Sequence, residues 1–99
     1  MPSVADLVEP AALERLTGAD EYGAGRALAD GGAVKVIEFG PLRVLAEVAD
    51  RGRSARVDLQ SGNGSLDWQC SCRGLPAGAC RHVAAAGIVT WRHAPKRSV

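Results

Sequence analysis

Aromatic side chains are scarce in this sequence of 99 residues, which has one tyrosine, one phenylalanine and two tryptophans. The core must therefore be assembled mainly from valine, leucine and alanine. A chain of this length buries only about 60–65% of the surface that it exposes when unfolded, so that core has little margin. The length predicts one domain over residues 1–99, and a bound metal ion would add stability that so modest a core needs.

Long apolar segments are also missing. No run reaches the roughly 18 apolar residues of a transmembrane helix, and no apolar run follows a basic N-terminal stretch as in a signal peptide. The three cysteines are an odd number, which suits a disulfide framework poorly. We therefore expect a cytoplasmic protein with reduced thiols and no membrane partner.

Acidic residues are absent after Asp67. Residues 1–50 carry 9 acidic and 4 basic side chains, and residues 51–99 carry 2 acidic and 8 basic, so the halves have net charges of −5 and +6. Such asymmetry is typical of a C-terminal half that binds an anionic partner. It is equally typical of two halves that attract each other within one fold, and the sequence leaves both interpretations open.

Hydrophobic periodicity predicts an α+β fold. Residues 1–32 form the N-terminal helical segment, where we expect two helices, one with Pro10 in its first turn and one capped by Asp20. Gly18 separates the two helices. Residues 33–67 alternate between apolar and polar positions, which predicts a small antiparallel sheet of three or four strands.

The C-terminal part is predicted to contain a buried helix and a short tail. Val83–Trp91 is apolar on most faces, as in a helix surrounded by the rest of the domain, and residues 93–99 form the tail. The strand alternation predicts one shared core, made of Val44, Val48, Ala55, Val57, Leu59, Ile88 and Trp91.

Four potential metal ligands lie within 13 residues: Cys70, Cys72, Cys80 and His82. Four thiolate and imidazole ligands in a tetrahedron are typical of structural zinc sites. On an extended strand Cys70 and Cys72 point the same way, and the loop rich in glycine and proline returns the chain to Cys80. We predict one structural Zn²⁺ on these four residues. His93, about 16 Å along a helix from His82, is expected at the surface.

A metal with four protein ligands has no open position for substrate, so we expect no enzymatic activity and no small-molecule substrate. Two alternatives stay open: three buried free cysteines, and a nucleophilic pair of cysteine and histidine. The nucleophilic pair would need a third group to orient the histidine, and a cleft for substrate.

The order Cys-x-Cys, a short spacer, and Cys-x-His at the start of an apolar helix resembles the SWIM-type zinc finger, here over residues 68–92. The Gly25-Arg26 pair, followed by strands over Ala33–Gln60, is also similar to bacterial members of that family. The resemblance implies a zinc module that contacts DNA or protein. The sequence departs from many members of the family in showing no attached helicase, transposase or kinase segment, so we expect a stand-alone module.

Two functions therefore compete. The first is a protein-interaction adaptor for DNA-associated machinery, with a partner such as a DNA-dependent ATPase. The second is direct nucleic-acid binding, which the near-neutral net charge and the few aromatic residues disfavour slightly. Its candidate contacts are basic side chains from the second half of the chain: Arg51, Arg53, Arg56, Arg73, Arg81, Arg92, Lys96 and Arg97.

Overall fold

The computed structural model describes residues 3–62, 64–71 and 80–93. Three helices come first: α1 (Val4–Leu7), α2 (Pro10–Thr17) and α3 (Ala19–Asp30). Four strands follow: β1 (Val34–Phe39), β2 (Arg43–Asp50), β3 (Arg53–Gly62) and β4 (Ser65–Cys70). Helix α4 (Arg81–His93) completes the described chain. The α+β prediction is confirmed, with four strands and a C-terminal helix.

The N-terminal segment has three helices where two were predicted. The additional helix, α1, starts with a capping box, in which Asp6 accepts a hydrogen bond from the Ser3 backbone at 2.8 Å. Pro10 is at the first position of α2, as predicted. The prediction for Asp20 was wrong: Gly18, at φ 90°, is the N-cap of α3. Asp20 lies in the first turn instead, where its negative charge suits the helix dipole.

The sheet is antiparallel throughout, in the order β1-β2-β3-β4. Strands β2 and β3 are joined by the two-residue turn Arg51-Gly52, which follows the pair Asp50 and Arg53. Both turn residues have positive φ, 54° and 78°, which is the conformation of a type I′ hairpin turn. The inner face of the sheet carries the buried apolar side chains of β2 and β3, as the alternation predicted: Val44, Ala46, Val48, Ala55, Val57 and Leu59.

Helix α4 is the centre of the domain, and each of its residues from Val83 to Thr90 is buried. The sheet packs on it from one side, and α2 and α3 pack on it elsewhere. Glycines make this close packing possible. A Cβ at Gly25 would lie 2.6 Å from the Cβ of Ala84, and one at Gly87 would lie 2.7 Å from Cδ2 of Leu13.

The last turn of α4 extends beyond the layers that cover the rest of the helix. Trp91 was predicted to be in the core, but it is 43% exposed. Ile88, one turn earlier, is buried as predicted. His93 is exposed, in agreement with its prediction as a surface residue.

None of the helices in the described segments is long and apolar enough to cross a bilayer.

Candidate metal centre

Three of the four predicted ligands converge where β4 ends and α4 begins. Cys70, Cys80 and His82 bring one potential ligand atom each to within 4.8 Å of one another. Nδ1 of His82 lies 3.7 Å from Sγ of Cys70 and 3.7 Å from Sγ of Cys80. These three side chains are therefore close enough to bind one metal ion. The fourth predicted ligand, Cys72, lies outside the described residues.

Strand register places Cys70 at this point. Cys70 is paired with Val57, whose side chain is fully buried, so the alternation along β4 turns the Cys70 side chain toward the helix layer. The pairing continues one residue further, since Ser71 donates its backbone N–H to the Arg56 carbonyl at 2.9 Å. In return, the backbone N–H of Arg56 donates to Oγ of Ser71 at 2.8 Å. The end of β4 is held firmly to β3 by these bonds.

The other two candidate ligands come from the start of helix α4, with Cys80 directly before the helix and His82 in its first turn. Ala84 donates its backbone N–H to the Cys80 carbonyl at 3.1 Å, so Cys80 stands at the helix start and His82 lies two residues beyond it. The positive end of the helix dipole at this place favours thiolates. Gly25 of α3 lies against the same turn, because a Cβ there would be 2.7 Å from the Arg81 carbonyl oxygen.

Asp50 orients the histidine. Its Oδ2 lies 2.8 Å from Nε2 of His82, and the two side chains are only 22% and 12% exposed. If Nε2 carries the ring hydrogen of the neutral imidazole and donates it to Asp50, the lone pair on Nδ1 points at the two sulfurs. A carboxylate in this position is the usual partner of a histidine that binds a metal, since it fixes the ring and makes Nδ1 more basic.

The two sulfur–nitrogen separations match tetrahedral coordination. Bonds of about 2.3 Å to sulfur and about 2.0–2.1 Å to nitrogen put the two ligand atoms about 3.6 Å apart at a tetrahedral angle. Both sulfur–nitrogen distances are 3.7 Å. A single Nδ1 lone pair can accept only one good hydrogen bond, so two equal distances to sulfur are better explained by a shared point of coordination than by a thiol hydrogen bond.

Sequence reasoning did not identify Asp50 as part of this site. It lies 32 residues before His82, and the local sequence around it is that of an ordinary strand followed by a hairpin turn. The only available signal was an acidic residue at the end of a strand. Whether that strand end would reach the zinc motif depends on how β2, β3 and β4 are ordered in the sheet.

The predicted nucleic-acid contacts fall into three groups. Arg73, Lys96 and Arg97 lie outside the described residues. Three others form ion pairs with acidic residues from the first half of the chain: Arg56 with Glu47 at 3.4 Å, Arg81 with Glu21 at 3.0 Å, and Arg92 with Asp30 at 2.7 Å. The charge asymmetry of the sequence is thus balanced in part within the fold.

The remaining two, Arg51 and Arg53, form no ion pair with any described residue. Together with Ser54, Ser71, His82 and Asp50 they line an open cleft of about 570 Å³ beside the candidate metal centre.

An ion pair with two hydrogen bonds lies on the outer face of the sheet, away from the helices. Arg43 donates to Asp58 through Nε at 3.1 Å and through Nη2 at 2.7 Å. These hydrogen bonds hold the pKa of Asp58 below its usual value, with a further contribution from Gln60, and the same bonds raise the pKa of Arg43. Arg43 is paired with Gln60 across β2 and β3, so Asp58 is the diagonal neighbour of Arg43 on the same face of the sheet.

Comparison of the chain with protein-family models, with curated proteins and with solved structures found no significant match.

Proposed function

We propose that this chain is a zinc-binding module in which the metal joins the end of β4 to the start of α4. The observation that carries the proposal is the position of His82 Nδ1, which is 3.7 Å from each of two cysteine sulfurs while Asp50 holds Nε2. Sulfur with imidazole nitrogen is the donor set of structural zinc. Cys72 completes the proposed ligand set, which leaves no position for water or substrate.

Metal analysis with native mass spectrometry tests this proposal. The untagged protein should contain one zinc per chain, and Cys70→Ser, Cys80→Ser and His82→Ala should each reduce that content. The matched control is His93→Ala, since this exposed histidine lies at the far end of α4. A folded wild-type protein with three free thiols and no metal would refute the proposal.

The module is further proposed to be of the SWIM type and to act as an adaptor that binds a protein of DNA-associated machinery. Three large apolar side chains near the β1–β2 hairpin support a protein partner: Ile37, Phe39 and Leu42 are 46%, 43% and 50% exposed. Strand β1 is at the edge of the sheet, so its outer backbone groups are available for pairing with another strand.

The adaptor proposal predicts a partner that depends on the hairpin. Affinity purification from the native host should capture the same protein with wild type and with Arg15→Ala, and should lose it with Phe39→Ser and Leu42→Ser. Nuclease treatment should leave the capture unchanged. Capture that disappears on nuclease treatment would instead support direct binding to nucleic acid.

A nucleophilic site is the second candidate, and one contact favours it. Asp50 provides the third group that an activated cysteine–histidine pair requires. Neither Cys70 nor Cys80 lines the cleft that contains His82, which is the argument against it. Alkylation distinguishes the two: zinc-bound thiols should react with iodoacetamide only after chelation. An activated nucleophile would react fastest in the untreated protein.

A further inference from the structure

The cleft beside the metal centre has the properties of an anion site. Its described lining includes two arginines, Arg51 and Arg53, and two serines, Ser54 and Ser71, whose side chains can all donate hydrogen bonds. Asp50 is the one acidic residue in the lining, and its Oδ2 is already bonded to His82. The two arginines and one aspartate of the described lining give it a formal net charge of +1, with histidine counted as neutral.

The hydroxyl of Ser71 can act as a hydrogen-bond donor. Its oxygen accepts the backbone N–H of Arg56 at 2.8 Å, so its own hydrogen remains to be donated. Arg51 and Arg53 have no ion pair among the described residues, in contrast to Arg56, Arg81 and Arg92. The cleft thus combines hydrogen-bond donors and positive charge with few competing acceptors.

The backbone conformation of Arg51 indicates that its side chain has a function. Arg51 has φ 54°, in the left-handed region that asparagine and glycine fill in type I′ turns. A residue with a Cβ adopts that conformation only at a cost in free energy. Such strain is common at binding sites, where the side chain makes a contact that glycine or asparagine could not make. Here the side chain is that of an arginine that lines the cleft.

We propose that this cleft binds a phosphate group. A phosphate presents acceptor oxygens in a tetrahedral arrangement, which suits donors that approach from several directions, and guanidinium groups bind it through paired hydrogen bonds. The phosphate belongs either to a small phosphorylated compound or to the backbone of a nucleic acid. No tryptophan, tyrosine or phenylalanine lines the described cleft, so the contact is to the phosphate and not to a stacked base.

The test is an NMR titration of the ¹⁵N-labelled, metal-containing full chain with inorganic phosphate. The amide signals of Gly52, Ser54 and Ser71 should shift saturably, and high salt should weaken the effect. Arg51→Gly with Arg53→Gln removes both guanidinium groups, and glycine retains the turn conformation. This variant should bind phosphate at least about tenfold more weakly, since it loses charge-assisted hydrogen bonds.

Arg15→Ala with Lys35→Ala is the matched control. It removes the same charge from two exposed residues outside the cleft, and it should leave phosphate binding unchanged. Metal content and circular dichroism, measured for each variant, separate loss of the cleft from loss of the fold. Because zinc content is measured independently, failure of phosphate binding would leave the proposed metal centre intact.

Two oligodeoxynucleotides of the same sequence, one with a 5′-phosphate and one without, distinguish the two possible sources of the bound phosphate group. Preference for the phosphorylated strand supports a phosphate monoester, and equal binding of both supports a nucleic-acid backbone. An Asp/Glu-rich peptide that binds the cleft more tightly than any phosphate compound would overturn the proposal in favour of an acidic protein. The proposal also fails if no phosphate probe shifts the cleft signals, or if both double variants bind equally.

Discussion

Asp50 and His82 meet at 2.8 Å, although one ends a strand in the middle of the chain and the other lies in the first turn of the last helix. The contact turns the imidazole so that Nδ1 faces Cys70 and Cys80. It also connects the proposed metal centre to the β2–β3 hairpin, and so to the cleft that Arg51 and Arg53 line. The proposed metal centre, the hairpin and the cleft therefore form one continuous region.

Removal of the Asp50 carboxylate should weaken zinc binding. We expect Asp50→Ala to lower zinc affinity by roughly 10–100-fold, because the imidazole loses the group that fixes its orientation. Asp50→Asn is the matched variant: its amide oxygen can still accept from Nε2, so its loss should be smaller. Competition with a chromogenic chelator measures both. Equal affinity of Asp50→Ala and wild type would mean that the carboxylate does not position the ligand.

Metal removal should loosen the junction of β4 and α4. A structural zinc contributes on the order of 10–16 kcal/mol in small finger peptides, which is comparable with the total stability of a domain of this size, about 5–15 kcal/mol. We expect a strong chelator to reduce hydrogen-exchange protection at the amides of Ser71 and Ala84. These amides donate hydrogen bonds to the carbonyls of Arg56 and Cys80, respectively. The amide of Val89, in the buried part of α4, is the internal comparison. Unchanged protection at Ser71 and Ala84 after verified zinc loss would show that the metal is incidental to the fold.

Two glycines of α3 should respond in opposite directions to alanine. At Gly25 a methyl group would lie 2.6 Å from Ala84 Cβ and 2.7 Å from the Arg81 carbonyl, so α3 and α4 would have to separate. We expect Gly25→Ala to destabilise the protein by roughly 1–3 kcal/mol and to weaken zinc binding at the adjacent helix start. At Gly23 there is nothing within 4 Å, so Gly23→Ala should stabilise the protein by about 0.4–1 kcal/mol.

Urea unfolding of the two variants decides this prediction. A Gly25→Ala protein as stable as wild type would show that the helices can move apart at no cost. Gly23→Ala also controls for helix propensity, because the same substitution is made in the same helix without the close contact.

The Arg43–Asp58 pair should make stability depend on pH in a defined direction. Because hydrogen bonds from Arg43 lower the pKa of Asp58 in the folded state, the pair stabilises the protein above the usual aspartate pKa, near ~3.9, and the stabilisation is lost as the pH falls through the lower folded value. We expect Asp58→Asn to lower the urea midpoint by the same amount between about pH 5.5 and 8. The difference from wild type should shrink under more acidic conditions. A difference that instead grows toward acidic pH would contradict the direction of the pKa shift.

Some of this protein could be predicted from local sequence. The alternation of Val44, Ala46 and Val48 predicted the inner face of β2, since side chains of a strand point alternately to its two faces. The apolar character of Val83–Trp91 on most faces predicted a largely buried helix, and Val83–Thr90 is buried. The chemistry and spacing of Cys70, Cys80 and His82 likewise predicted a common site, and the three side chains do converge.

Which arginines form ion pairs within the fold could not be predicted from local sequence. Their number and position in the second half were evident, but Arg56, Arg81 and Arg92 are paired with Glu47, Glu21 and Asp30 from the first half. Those partners are brought near by strand register and by the packing of α3 on α4. The sequence allowed a basic binding surface and an internally balanced fold equally, and only the fold distinguishes paired arginines from Arg51 and Arg53.

Sequence by itself therefore determined the element types, the inward-facing positions and the donor atoms of the proposed metal centre, because these depend on residues that are neighbours in the chain. Tertiary structure decided that Asp50 holds His82, that Gly25 admits the first turn of α4, and that two arginines line a cleft beside it. Each of these contacts joins distant segments. Strand order and helix packing create them, and both arise from the burial of the whole apolar surface and not from any short stretch of sequence.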